Sequence, residues 1–415
     1  MKLNIPYGDG EITLRIPDEN ILHVVQDAAG GSRRDEKDII LDALSHPINS
    51  PGLAELARGK KSAVLLVSDY TRPCPSYKFL PYLIDSLEEA GVNDLKVIFG
   101  LGIHRKHTDA EKRKLVGDEV CRRISRIIDL DDKRCRLIGT TTAGTPVEVF
   151  EEALSAELLI ATGNLEYHYF AGYSGGAKAV LPGICSRRSL QANHRMMLDD
   201  RAVAGNFKDN PVRMDIEEAG AMAKIDFLFN VITDDDKRIV TAFSGRNNDA
   251  FLHGFGVYDR IHKREIDRKV DMVITSPGGH PKDVNLYQAQ KALDNVKNIV
   301  KEGGEIILVA SCPEKCGEKT FEDWMVDARD YQKLYARIRE NFIVGGHKAV
   351  AISKMLTKVR VSLYSSFSPR ETEGLGFIKI HDLQQYLDQK IAADKDTKIV
   401  AVLNGRLVQF KGETR

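Results

Sequence analysis

Residues 62–69 read Ser-Ala-Val-Leu-Leu-Val-Ser-Asp, a short unbroken apolar run that ends in polar residues. Such a run is the pattern of a parallel strand buried on both faces. The loop Tyr70-Thr-Arg-Pro-Cys-Pro75 follows, after which Phe79, Leu80, Leu83, Ile84 and Leu87 recur at helical spacing until Gly91 stops the helix. Residues 95–99 repeat the strand pattern and Gly100-Leu-Gly-Ile-His-Arg-Lys-His107 the loop. Thr108-Asp-Ala-Glu111 is then a capping box that opens a further helix. Strand, loop and helix thus appear twice in succession.

The theme extends outward. Residues 158–162 predict a strand, 163–178 a polar, glycine-rich loop and 186–197 a helix, while 225–233 and 238–243 flank Asp234-Asp-Asp-Lys237 as a hairpin. The charged stretch 259–269, DRIHKREIDRK, predicts a connecting helix or linker and a boundary near 265. Beyond it, a strand at 270–275, the loop Ser276-Pro-Gly-Gly-His280, a helix at 286–300 and a strand at 305–310 make a βαβ unit. Helical patterns at 324–340 and 348–356 and a strand at 359–363 continue it, and the opening (2–5, 12–16) alternates like a hairpin. The expected fold is α/β in two domains, 1–265 and 266–400, each a mostly parallel sheet with flanking helices, and 401–415 is a tail. The active site is expected in the interdomain cleft, at the carboxyl ends of the strands.

Composition narrows the function. The 415 residues are 42% hydrophobic and 29% charged, enough to bury a sizeable core. Sixty Lys plus Arg balance sixty Asp plus Glu, so no global field draws the chain to nucleic acid or anionic lipid. The opening lacks the apolar core of a signal peptide, and no apolar run approaches the roughly 18 residues of a membrane span, so a cytoplasmic protein is expected. The six cysteines are scattered, which argues against a disulfide framework.

The strand-ending loops hold Asp69 and Arg72, His104 and His107, His168 and Lys178, with His194 on the helix that follows. Arg72 presents a fork suited to carboxylate or phosphate, with the Thr71 hydroxyl beside it; an ordinary surface ion pair explains Asp69 and Arg72 equally well. Gly172-Tyr-Ser-Gly-Gly-Ala-Lys178 could bring backbone N–H groups to an anion, or be a plain flexible turn. It departs from the P-loop pattern, and no strand-linked dinucleotide fingerprint is present, so an NTPase is disfavoured. Lys178, between Ala177 and Ala179, is either a sheltered nucleophile or a snorkelling surface lysine. No two of His104, His168 and His194 have zincin spacing, and no cysteine or carboxylate completes a zinc quartet. Tyr287, Gln288 and Lys291 fall within one helical turn and could hold an anion, or form a solvated face.

Taken in order, Ser68-Asp-Tyr-Thr-Arg-Pro73, Gly102-Ile-His-Arg105, Glu166-Tyr-His-Tyr-Phe-Ala-Gly-Tyr-Ser-Gly-Gly-Ala-Lys178, Asn193-His194, Tyr287-Gln-Ala-Gln-Lys291 and Gly346-His-Lys348 resemble the nickel-dependent lactate racemase family over most of the chain. The resemblance implies an isomerase that racemises or epimerises 2-hydroxyacids with a nickel-pincer nucleotide covalently attached at Lys178. His194 would be the nickel ligand, and the 1–265 domain would carry cofactor and catalytic histidines. Asp69, Tyr70, Thr71 and Arg72 would contact the cofactor, with its phosphate near Ser174, Gly175 and Gly176. His104 and His168 would be the catalytic acid and base, while Arg72, Tyr287, Gln288 and Lys291 would face a small-molecule substrate. The resemblance also implies maturation proteins as partners, and leaves the oligomeric state unassigned. Trp324 is the only tryptophan, so His347 and Lys348 are expected to make a polar wall, which points to an aldonate or malate beside lactate. Two other classes fit the residues alone: a non-catalytic protein that binds a nucleotide-like ligand, and a zinc-dependent hydrolase.

Overall fold

The computed structural model describes residues 1–25, 34–71, 74–102, 104–234, 236–343 and 345–405, with the backbone of 408–410. The chain divides into two compact units, one of Gly30–Ile261 and one of Met1–Ala29 with His262–Arg415. No described helix is long and apolar enough to cross a membrane.

The Gly30–Ile261 unit is built on six strands in the order Ile239–Gly245, Phe227–Thr233, Leu158–Asn164, Ser62–Ser68, Asp94–Gly100 and Arg126–Asp129. Only the first of these runs antiparallel to its neighbour. The strand Ser62–Ser68 lies near the middle, and Val64, Leu65 and Leu66 are almost completely buried, as an apolar run in a two-sided parallel sheet requires. The helix Ser76–Glu89 buries Phe79, Leu80, Leu83, Ile84 and Leu87, the residues its periodicity singles out. The capping box at Thr108 and Glu111 forms with both reciprocal bonds. Because Ser68 pairs with Gly100, Asp69 and the loop after Gly100 leave the same end of the sheet side by side. There, Gly102 N donates to Gly183 O at 3.2 Å. A Cβ on Gly100 would stand 2.9 Å from Gly183 Cα, so the two backbones meet with no room for a side chain.

The second unit corrects the expected domain limits. Its six strands are all parallel, in the order Ile378–Lys379, Arg360–Tyr364, Val300–Val309, Val270–Thr275, Ile399–Val402 and Ile21–Val25. The start of the chain therefore belongs with the carboxyl-terminal half and not to a 1–265 domain. The hairpin of Lys2–Tyr7 and Gly10–Arg15 buries Leu3, Ile5, Leu14 and Ile16 in one core with Ile274, Ile307 and Ala401. Residues 401 and 402 likewise lie inside the sheet, not in a tail, because Val270–Thr275 is an interior strand and needs a neighbour on each side. The supposed linker at 259–269 is the end of the helix Asn247–His262 and the short strand Arg264–Ile266, which pairs with Val408–Phe410. The helical pattern at 324–340 is two helices, Lys319–Met325 and Tyr331–Glu340, the second capped by Asp330.

A buried carboxylate ties this second core together. Glu305 accepts hydrogen bonds from Ser362, Tyr386 and Lys390, the last at 2.7 Å. Burial pushes its carboxyl up, but those donors outweigh it and hold it below the ordinary glutamate value. A carboxyl lowered on folding stabilises fully above its unfolded pKa of about 4.3 and loses that contribution as pH falls through the folded value. Glu305→Gln should therefore flatten the acid limb of the stability profile below about pH 4.3, measured by denaturant unfolding across pH. In the first unit, Gly100→Ala should cost about 1–3 kcal/mol by overpacking, read as a lowered melting midpoint.

Candidate active site

At the end of the strand Ser62–Ser68, Asp69 is 4% exposed and organises its surroundings. One oxygen accepts from Thr71 Oγ1 at 2.8 Å and Thr71 N at 3.1 Å. The other accepts from His104 Nδ1 on the neighbouring loop. Burial raises the Asp69 carboxyl, yet the bonds from His104 and Thr71 outweigh it and leave it below its ordinary value, so it stays an anion. An anionic acceptor at Nδ1 puts the ring proton there and makes Nε2 the lone-pair nitrogen of His104. The imidazole itself is about two-fifths exposed. Arg72 lies outside the described residues.

His107 has a different part. Its ring is fully buried, donating from Nδ1 to Asp129 at 2.6 Å and accepting at Nε2 from Tyr70 N at 3.1 Å. Both nitrogens are committed to the chain, so His107 anchors the Tyr70 loop to the strand Arg126–Asp129. The Tyr70 ring is sandwiched between that anchor and the Arg105 guanidinium, 4.4 Å from its centroid.

His168 lies on a two-residue hairpin, Tyr167–His168 against Gly172–Tyr173. Tyr167 and Tyr173 both donate their hydroxyls to Asp259, at 2.9 and 2.8 Å, and Asn210 Nδ2 donates to Phe170 O at 2.8 Å. Burial and the Asp259 charge raise both phenols, which keeps them neutral donors. The hairpin is thus pinned at its base and its tip. Within it, Ala171 N donates to His168 Nδ1 at 3.2 Å, so the neutral ring carries its proton on Nε2, the reverse of His104.

The Phe170 ring gathers the remaining candidates. His168 meets it edge-on at 4.6 Å, His194 edge-on at 4.9 Å, and Lys178 Nζ stands 5.9 Å from its centroid. His194, at the end of the helix Arg187–Arg195, faces Asn193 Oδ1 through Nδ1 at 3.1 Å, leaving Nε2 as its lone-pair nitrogen. Among the described residues no three His, Cys, Asp or Glu side chains form a group able to hold a metal.

The glycine loop is held by its own hydrogen bonds. Gly176 N donates to Asn230 Oδ1 at 2.8 Å, and Ser174 Oγ donates to Asn164 O at 2.7 Å while accepting from Glu166 N at 2.8 Å. Those bonds build the loop. Gly175 and Gly176 have φ of 74° and 60°, and a Cβ on Gly176 would fall 2.6 Å from Phe251 and 2.8 Å from Arg213 Nη2. The fully buried Arg213 guanidinium supports the loop from beneath, donating to Tyr173 O at 3.2 Å. Neither Arg213 nor Phe170 stands out in the sequence, since burial and ring contacts leave no local pattern.

In the second unit, Tyr287, Gln288 and Lys291 occupy the outer face of the helix Leu286–Val296, whose Leu286, Ala289, Gln290, Ala292 and Leu293 are buried. At 347–348, where a polar wall is expected, both side chains are buried. His347 and Lys348 are 5% and 3% exposed; Lys348 Nζ donates to Tyr287 O and sits 3.6 Å from that ring's centroid. Burial and Lys348 push the His347 ring down to about 3, so it is neutral. Trp324 is buried against Gly346, where a Cβ would come within 2.8 Å of the indole.

Two family models match the chain: the lactate racemase N-terminal domain over residues 7–205 and the lactate racemase C-terminal domain over 266–408. A lactate racemase from Thermoanaerobacterium thermosaccharolyticum is 32% identical over 97% of both chains, and one from Lactiplantibacillus plantarum 34% identical over 79% of both. The solved lactate racemase apoprotein from T. thermosaccharolyticum superposes with a TM-score of 0.90 at 31% identity, over 99% of this chain and 100% of that one. A crystal structure of a protein from Thermotoga maritima shares the fold, with a TM-score of 0.62 at 18% identity over 92% of this chain and 99% of that one. With both domains matched in order and relatives above 30% identity along almost its whole length, the chain belongs to the lactate racemase family and is a racemase-type isomerase.

Proposed function

We propose that the protein inverts C2 of a 2-hydroxyacid, with His104 and His168 as acid and base and a nickel-pincer nucleotide held on Lys178 and ligated by His194. The observation that carries this reading is the different partner at Nδ1 of the two histidines: His104 Nδ1 faces the Asp69 carboxylate, whereas His168 Nδ1 faces the Ala171 N–H. Inversion needs a base for the hydroxyl proton and an acid to return it, and two imidazoles supply that pair when one is neutral and the other protonated. The fit of Lys178 and His194 around Phe170 supports the cofactor. When bound, it supplies a reversible acceptor for the hydride leaving C2.

In one direction, His104 Nε2 takes the hydroxyl proton, and the Asp69 carboxylate stabilises the imidazolium that results. His168, entering as the imidazolium, returns a proton to the oxygen as the planar carbon is rebuilt from the other face; exchange with water then resets both rings, and in the reverse direction the roles exchange. Tyr70 and Thr71 shape the loop against cofactor, and Arg72, Tyr287, Gln288 and Lys291 hold the carboxylate and oxygen so that the planar 2-oxo acid stays bound. The relatives named lactate racemase make lactate the first substrate to test. Aldonate and malate follow as the larger hydroxylated or dicarboxylic substrates to test. Maturation proteins of the cytoplasm would load the cofactor, and chain made without them should be inactive.

In protein produced with those maturation proteins, His104→Ala and His168→Ala should each slow lactate inversion by about 10²–10⁴-fold, followed by optical rotation, at unchanged adduct mass and cofactor absorbance. Lys178→Ala should lack the adduct in intact-protein mass, and His194→Ala should keep it but lose nickel. Fully loaded protein that inverts no 2-hydroxyacid would exclude the reaction.

A further inference from the structure

We propose that Asn193, Asp215 and Thr141 form a buried polar relay that positions His194 as a metal ligand; the inference rests on the reading of His194 given above. All three are buried, at 0%, 2% and 4% exposure, and they come from separate elements. Asn193 precedes His194 in its helix, Asp215 lies on the helix Pro211–Ala223, and Thr141 follows the strand Cys135–Thr140.

The direction of every hydrogen bond in the relay is determined. Asn193 Nδ2 uses its two protons on Val212 O at 3.1 Å and Asp215 Oδ2 at 2.8 Å. A flipped amide would set its oxygen against a carbonyl and a carboxylate, so Oδ1 must face His194 Nδ1, 3.1 Å away. Thr145 N donates to Thr141 Oγ1 at 3.0 Å, which leaves the Thr141 proton for the other oxygen of Asp215. The two oxygens of Asp215 thus face one donor each, Asn193 and Thr141. The carboxylate polarises the Asn193 amide, whose oxygen fixes the imidazole tautomer and ring angle and makes Nε2 the more basic donor. Outer partners of this kind typically govern metal affinity by 10–100-fold.

The test uses holoenzyme made with the maturation proteins and follows nickel release to excess EDTA by metal analysis and cofactor absorbance, beside melting of each apoprotein. Asn193→Ala and Asp215→Asn should release nickel about 10–100-fold faster than the parent. Thr141→Val, which keeps the side-chain shape, should release it a few-fold faster, and the adduct mass at Lys178 should be unchanged in all three. Parental release from any of these variants whose apoprotein melts within a few degrees of the parent overturns the relay. Asp215→Asn and Thr141→Val preserve volume, so they decide the matter if Asn193→Ala does not fold. Parental release from His194→Ala overturns instead the assignment of His194, which keeps the two failures apart.

Discussion

The four imidazoles of the candidate site, His104, His107, His168 and His194, each have Nδ1 committed to a neighbour, and that commitment bears on what each can do. His104, His107 and His194 face acceptors, Asp69, Asp129 and Asn193, whereas His168 faces a donor, the Ala171 N–H. A neutral imidazole has one proton to place, so fixing one nitrogen decides the other. His107 then directs Nε2 at a backbone N–H and becomes an anchor, while the roles proposed for His104, His168 and His194 all turn on Nε2.

The fold supplies these partners by register. Parallel strands in step bring Asp69 and the 101–107 loop to one end of the sheet, where a carboxylate from one loop can meet a histidine from the next. The contact of Gly100 with Gly183 then brings the segment after Lys178 against the histidine loop. The hairpin at 167–173 is too short to hold itself, and two tyrosines on Asp259 with Asn210 on Phe170 do that work from outside. Burial keeps those phenols protonated, which is the form the Asp259 carboxylate needs.

Much of the fold was legible because its signals are local. The run at 62–69, the spacing from Phe79 to Leu87 and the capping box at Thr108 each follow from hydrophobic period or backbone capping within a few residues. The pairing of Ile21–Val25 with Ile399–Val402 was not, since partners that far apart leave no mark on either segment. The same holds in the site. His104 and His107 are three residues apart in one loop, and only burial separates a reactive ring from an anchor. Asn193 was visible as part of a motif, yet Asp215 and Thr141 are joined to it by packing alone. Arg213 reads as one more helix-borne charge until it is found beneath the glycine loop.

The amino-acid order by itself determined the alternation of strands and helices, the loops that would be reactive and, through motifs in sequence, the family. These depend on short-range pattern and residue type, which survive without coordinates. Tertiary structure alone decided which chain ends share a sheet, that the Lys348 amine is engaged by Tyr287, and which group faces Nδ1 of each site histidine. Those outcomes depend on what stands a hydrogen bond away, and that neighbour is brought there by distant parts of the chain.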